Sequence, residues 1–184
     1  MSLINQTYKL KNGLSIIVRE ADTEDAEALL RLKKGYIKNT TSIPLYEYEY
    51  RNTVDDEAEL INRYKQQKNS LLLVAEHNNE LIGNIDLTGN QREKIFHTAA
   101  LGMGIANNWQ NLGIGTCLMD MLLKIATKHL PVNIIWLEVY SSNISGIKLY
   151  DKFGFEECGT IKNFFKEKHI ADKITMVKYI QNHV

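Results

Sequence analysis

The sequence predicts a single α/β domain in which a mixed central β-sheet is flanked by about four helices. Three observations carry that expectation. Short apolar runs of strand length alternate along the chain with stretches whose apolar residues recur at helical spacing. The clearest helical stretch holds Ile114, Cys117, Leu118, Met121, Leu122 and Ile125 on one face. The chain has 184 residues, of which 44% are hydrophobic and 24% charged, enough for one substantial core and ordinary for a globular domain.

The elements follow in order. Residues 1–14 read as an N-terminal extension and 15–184 as the domain. Ser15 to Val18 is a short apolar first strand. Asp22-Thr23-Glu24-Asp25 supplies a cap and acidic first-turn residues for a helix with Ala26, Leu29, Leu30 and Leu32 on its inner face. A long connection, Asn39 to Thr53, carries the alternating run Tyr46-Glu47-Tyr48-Glu49-Tyr50. A second helix spans Asp55 to Lys68. Leu71 to Glu76 and Leu81 to Leu87 form a hairpin around His77-Asn78-Asn79-Glu80. Thr98 to Ala106 is the next strand, Gly113 to His129 the third helix, and Ile134 to Tyr140 a further strand. Ser145 to Phe153 is a short helix ended by Gly154, and two strands, Phe155 to Lys162 and Lys173 to Ile180, close the chain.

Composition narrows the function. Lys plus Arg and Asp plus Glu each number 22, so the chain is formally neutral and lacks the basic footprint of nucleic-acid binding. No apolar run approaches the roughly 20 residues of a membrane-spanning helix, and no signal-peptide pattern opens the chain. Cys117 and Cys158 have no metal-like spacing and fit reduced thiols, which points to a cytoplasmic protein. His77, His97, His129, His169 and His183 are scattered, so no metal set is expected.

The most informative segment is Gln110-Asn111-Leu112-Gly113-Ile114-Gly115-Thr116, where a strand hands over to a helix. Free backbone N–H groups and the positive end of the helix dipole favour an anion there, typically a phosphate. A P-loop would need Lys-Ser/Thr after the second glycine, but Thr116-Cys117 follows. A Rossmann fingerprint would need a small residue at position 118, which is leucine. In the preceding strand Ala100, Gly102, Gly104 and Ala106 alternate with Leu101, Met103 and Ile105, so one face is nearly bare. Two readings account for that face: close packing by a helix, or an extended ligand running along the strand.

A second constellation lies between Glu138 and Phe155. Glu138 stands mid-strand between Leu137 and Val139, where a carboxylate needs a partner or a job. Asn143 can cap the helix that follows. The pattern Gln110-x-x-Gly113-x-Gly115, then Asn143-x-x-Gly146-x-x-Leu149-Tyr150-x-x-Phe153-Gly154-Phe155, resembles the GCN5-related N-acetyltransferase (GNAT) superfamily from about Ser15 onward. The resemblance implies that the glycine loop, Gln110 to Thr116, binds the pyrophosphate of acetyl-CoA. It further implies that the pantetheine arm lies between two splayed middle strands, 98–106 and 134–140. The arm would pair with the backbone of Met103 and Ile105, and Asn143 would contact the cofactor. The Leu-Glu-Val segment and the Leu-Tyr pair are similar to the branch that acetylates ribosomal-protein N-termini. In that branch a glutamate and a tyrosine serve as base and acid, matching Glu138 and Tyr150. Dimers are common in the superfamily, so a homodimer is a further expectation.

Acyl transfer to an amine requires a neutral amine, a stabilised oxyanion and a protonated leaving thiolate. Glu138 is the first candidate base, through water, and His97 the second. The Met103 N–H could hold the oxyanion, and Tyr150 could protonate the thiolate as well as line the cofactor site. The expected activity is direct transfer in a ternary complex to a primary amine, either a protein N-terminus or a small molecule. The Tyr46–Tyr50 run and Asp55-Asp56-Glu57 could attract a cationic acceptor, or serve as a solvated loop and helix start. The other function class is a non-catalytic acyl-CoA-binding module of the same fold, against which the presence of both Glu138 and Tyr150 argues.

Overall fold

Eight strands pair in the order β1-β2-β3-β4-β5-β6-β8-β7 in a computed structural model of the chain, described over residues 5–166 and 170–181. The strands are β1 Asn5–Lys9, β2 Ser15–Glu20, β3 Leu71–His77, β4 Glu80–Gly89, β5 Thr98–Ile105, β6 Ile134–Tyr140, β7 Glu156–Lys166 and β8 Ile170–Tyr179. The helices are α1 Ala26–Lys38, α2 Val54–Gln66, α3 Ile114–His129 and α4 Ile144–Lys152. Every neighbouring pair is antiparallel except β5 with β6. The mixed sheet with four helices agrees with the sequence reading. One boundary does not. The stretch 1–14, read as an extension, contributes β1, which pairs along its whole length with β2.

Local chemistry explains the elements around the site. Asp22 and Asp25 form a reciprocal capping box before α1, and Thr53 and Asp56 do the same before α2. The β3–β4 turn places Asn78 and Asn79 at φ 48° and 63°, a conformation asparagine tolerates. One face of the sheet buries a core of Ile82, Ile85, Leu101, Ile135 and Leu137 against Leu118 and Leu122 of α3. The other face packs Leu72, Val74 and Leu81 against Leu29, Leu32 and Tyr36 of α1 and Ile61 of α2.

The middle of the sheet is split. β5 and β6 pair only at Thr98–Ala100 with Ile134–Trp136, although β5 runs on to Ile105 and β6 to Tyr140. The expected splayed strands are therefore present.

Candidate active site

The split and the glycine loop share one cavity of about 560 Å³, lined among others by Met103, Gly104, Ile105, the loop Gln110–Cys117, Asn143, Gly146, Leu149 and Tyr150. Twelve of the thirteen residues named from sequence as site residues fall into two groups: those of the loop, strand edge and α4 that line this cavity, and Glu138, which borders the split. His97 belongs to neither.

The loop is built by backbone conformation. Asn111 and Gly113 take φ values of 62° and 96°, and at Gly113 a side chain would be strained whatever the space. Gly113 is the N-cap of α3, with its C=O accepting from Thr116 and Cys117 N–H. The Trp109 ring lies 5.0 Å from that of His77, tying the loop to the β3–β4 turn. Gln110 Nε2 donates to the Ile105 C=O at 3.2 Å, so this side chain secures the loop to the end of β5. At Gly115 a Cβ would stand 2.9 Å from Leu149, which is how closely α3 and α4 approach.

The direction of the β5 backbone follows from two bonds to its neighbour. Ala106 N–H donates to Ile82 C=O at 2.9 Å and Asn90 N–H to Thr98 C=O at 3.0 Å. Residues alternate in an antiparallel ladder, so the even-numbered positions of β5 bond β4. The N–H and C=O of Met103 and Ile105 thus point to the β6 side, where pairing has already ended. An extended ligand in the split would meet the Met103 N–H and C=O and the Ile105 N–H as a strand would, the Ile105 C=O being already taken by Gln110.

The bare face of β5 has another explanation. A Cβ on Gly104 would stand 2.3 Å from the Tyr36 ring, and one on Gly102 would stand 2.9 Å from Asp86 Oδ1. The stripped side chains make room for α1 and for a carboxylate of β4. The helix-packing reading of the glycines holds, and this face is filled by protein rather than open to a ligand.

Tyr150 lines the cavity, partly buried, with its ring edge-on to Phe155 at 6.0 Å. Burial pushes its hydroxyl up to about 12, so it stays protonated across the physiological range. Asn143 Oδ1 accepts from Gly146 N–H at 3.0 Å and from the Ser145 hydroxyl at 3.2 Å, which makes it the cap of α4 as well as a wall of the cavity.

Glu138 is not buried. Its neighbours Leu137 and Val139 enter the α3-side core, and Glu138 points to the α1 and α2 side, where Lys173 Nζ contacts Oε1 at 2.6 Å. Its side chain is 43% exposed. The sequence reading of a carboxylate in a buried strand is corrected to one on an open face with an ionic partner. His97 is exposed at the start of β5, with its C=O accepting from Asn133 and Ile134 N–H. Six residues separate it from Met103, roughly 20 Å of extended strand. The geometry gives it no path to the cavity.

Asp86 was missed from sequence. It sits on β4 opposite Gly102, with its carboxylate accepting from the Tyr64 hydroxyl at 3.0 Å and the Thr88 hydroxyl at 3.1 Å. Burial raises its pKa above the ordinary aspartate range. The available signal was alternation: Asn84, Asp86 and Thr88 form a polar row on an otherwise apolar strand. Glu138 lies two residues beyond Trp136, the last residue of β6 paired with β5, as Gly102 does beyond Ala100 of β5, on the stretch where the two strands part. Asp86 is paired directly with Gly102, whereas Glu138 stands across the split.

The acidic stretch is largely used locally. Glu57 is fully buried, 2.8 Å from Lys33 Nζ and bonded by Asn52 and the Tyr50 hydroxyl. Asp56 caps α2, Glu49 accepts from Tyr46 N–H, and Glu47 lies 3.8 Å from Lys38. Among the described residues no group of three or more His, Cys, Asp or Glu side chains could hold a metal; His169 and His183 lie outside them. Among the described residues no helix is long and apolar enough to cross a membrane.

Comparison with known proteins fits this geometry. The family model described as Acetyltransferase (GNAT) family matches residues 36–155. The L-amino acid N-acetyltransferase AaaT of Escherichia coli K12 is 28% identical over 152 residues, spanning 81% of this chain and 88% of its own. Among solved structures, a GNAT-family acetyltransferase from Streptococcus pneumoniae superposes with a TM-score of 0.87 at 23% identity, over 90% of this chain and 99% of that one. YncA from Salmonella typhimurium, an acetyltransferase solved with acetyl-CoA, gives 0.80 at 18% identity over 92% and 96%. The last two likenesses concern the fold.

Proposed function

The chain belongs to the acetyltransferase (GNAT) family, and from that premise we propose that it moves the acetyl group of acetyl-CoA directly to an α-amino group. The observation that carries the reading is the split beside β5. It exposes the Met103 and Ile105 backbone to a single cavity that also holds an anion-receiving helix start and Tyr150. The loop and the first turn of α3 take the pyrophosphate. The pantetheine arm adds to β5 as a strand, which brings the thioester near Met103. The Met103 N–H donates to the carbonyl and to the oxyanion that replaces it.

The acceptor comes from the other face of the sheet. Over Gly102 an amine lies between Asp86 and Glu138. Asp86 is the stronger candidate base, because burial raises its affinity for a proton while both its hydroxyl partners can donate to the charged form. An oxygen of Glu138 is already engaged by Lys173, so Glu138 serves to position the cationic acceptor. The neutral amine attacks the thioester carbon, the tetrahedral intermediate collapses, and the C–S bond breaks. Tyr150 then donates to the departing sulfur.

Two independent strands support an α-amine. A relative that spans 81% of this chain is named for L-amino acids, and the Glu138 and Tyr150 segments resemble the branch that acts on protein N-termini. Both acceptors present an amine of pKa about 7.7–8, which needs less deprotonation than a lysine at about 10.4. The test is release of free thiol from acetyl-CoA with L-amino acids, short peptides, a polyamine and an ε-amine as acceptors. Turnover with an α-amine is expected. Turnover confined to the polyamine or ε-amine would overturn the acceptor class, and none with any amine would favour the non-catalytic module.

A further inference from the structure

The outer rim of the cavity carries three lysines, Lys9, Lys11 and Lys152. Two of them come from the hairpin between β1 and β2. Strand register brings that turn to the site: Lys9 pairs with Ser15, Ile17 with Glu76, Glu76 with Leu81, and Gly83 with Ile105. The β1–β2 turn therefore lies at the end of the sheet where β5 gives way to the glycine loop.

The turn is fixed in place. Leu10 is buried in the core, so in extended chain its neighbours Lys9 and Lys11 both face outward. Leu10 N–H donates to Leu14 C=O at 2.8 Å, and Gly13 N–H to Leu10 C=O at 3.0 Å. The Tyr8 hydroxyl donates to Asp120 of α3 at 2.9 Å, which pins the edge strand to the helix whose first turn faces the cavity. Lys152 approaches from the other side, at the end of α4, and its charge is felt at Cys117.

Lys33, Lys38, Lys65, Lys124, Lys162 and Lys173 each have a carboxylate partner. Lys9, Lys11 and Lys152 have none among the described residues, as is also true of Lys34, Lys68, Lys94, Lys128, Lys148, Lys166 and Lys178; what sets the three apart is that they line one cavity. Three cations free of carboxylates therefore meet around one cavity.

We propose that Lys9, Lys11 and Lys152 receive the ribose 3′-phosphate of the CoA donor, so that the enzyme distinguishes CoA from its 3′-dephospho form. The proposal rests on the reading of the cavity as the acetyl-CoA site. Backbone N–H groups of the loop serve the pyrophosphate and leave the terminal phosphomonoester, which carries a charge near −2 at pH 7, without a partner. Lysine suits this place, since it meets phosphate as a mobile point charge and needs no fixed bidentate geometry. Exposure makes the interaction sensitive to salt.

The experiment is calorimetric titration of the full-length protein with CoA and with 3′-dephospho-CoA at low ionic strength. For the wild type, Kd for the dephospho form should be about ten-fold higher, and the difference should shrink in about 1 M salt. The double variant Lys9→Ala/Lys11→Ala should bind CoA as weakly as the dephospho form, with dephospho-CoA binding unchanged. Lys152→Ala should narrow the difference in part, and Lys9→Arg/Lys11→Arg should keep most of it. Dephospho-CoA serves as the internal control for folding. A wild type that binds both ligands alike, or a variant that weakens both equally, overturns the assignment and leaves the donor reading intact. Failure to bind either ligand would remove the donor reading and the assignment together.

Discussion

Gly104→Ala separates the two explanations of the bare strand face. The new Cβ would stand 2.3 Å from two ring atoms of Tyr36 and 2.7 Å from its hydroxyl, more than an ångström inside ordinary van der Waals contact. The ring has little room to yield, because Tyr36 is 8% exposed and its hydroxyl donates to Asn84 Oδ1 at 3.2 Å. Forcing a methyl into a packed core costs about 1–3 kcal/mol. Displacing the hydroxyl from Asn84, itself 3% exposed, adds about 1–3 kcal/mol for a buried acceptor left without its donor. The total, about 2–6 kcal/mol, is a large part of a typical domain stability of about 5–15 kcal/mol. In urea, with a slope of about 2 kcal/mol per M, the midpoint should fall by roughly 1–3 M with the slope unchanged. The same substitution in a Tyr36→Ala background should cost less than about 1 kcal/mol, because the obstructing ring is gone. Equal losses in both backgrounds would refute the packing argument. Unchanged stability of the unliganded protein with weakened acetyl-CoA binding would return the glycine to the ligand.

The remaining predictions concern the chemistry. Tyr150→Phe should lower kcat by about 10²-fold or more and leave the KM for acetyl-CoA nearly unmoved; unchanged turnover would remove Tyr150 as the acid. With the hydroxyl of Tyr150 pushed up to about 12, its ionisation should contribute no fall in the pH–rate profile below about pH 11. Asp86→Asn should lower kcat by about 10²–10⁴-fold and abolish the acidic limb of the profile, whereas Glu138→Gln should act mainly on the KM of the amine; the reverse pattern would restore Glu138 as the base. Asp86 has a native pKa above its unfolded value, so the native state binds the extra proton between the two and stability falls as pH rises through that window. Asp86→Asn should therefore gain stability over the wild type as pH climbs above the ordinary aspartate range, and a constant difference between about pH 3 and about pH 8 by denaturant titration would contradict this.

Much of the site was legible because its signals are local. The handover from strand to helix at Gln110–Thr116 is written in consecutive residues, and the helical period of Ile114 to Ile125 follows directly. What escaped depends on distance. Nothing near Gly104 announces Tyr36, 68 positions earlier by the sequence numbering, as the body that fills its space. β1 escaped because Asn5–Lys9 is an edge strand exposed over most of its length, and without one buried face there is no alternation to detect. Glu138 was misjudged because its flanking residues are apolar. Period two places those neighbours in the core and Glu138 on the opposite face, where the split leaves it open. His97 adjoins the right strand in sequence but stands at its wrong end in space.

The parting of β5 from β6 also bears on how the protein persists when idle. A sheet whose middle pairing stops after three residues lacks a component, and an extended donor molecule can stand in for it. Because that molecule binds the folded chain and not the unfolded one, mass action makes it a folding partner: at a hundred-fold excess over its Kd it stabilises the protein by about 2.7 kcal/mol. The amide hydrogens of Met103 and Ile105, which face the split, should slow on loading, while those of Gly102 and Gly104, bonded to β4, should change little. Metabolic supply of the thioester would then govern how long each molecule survives, in addition to how fast it works.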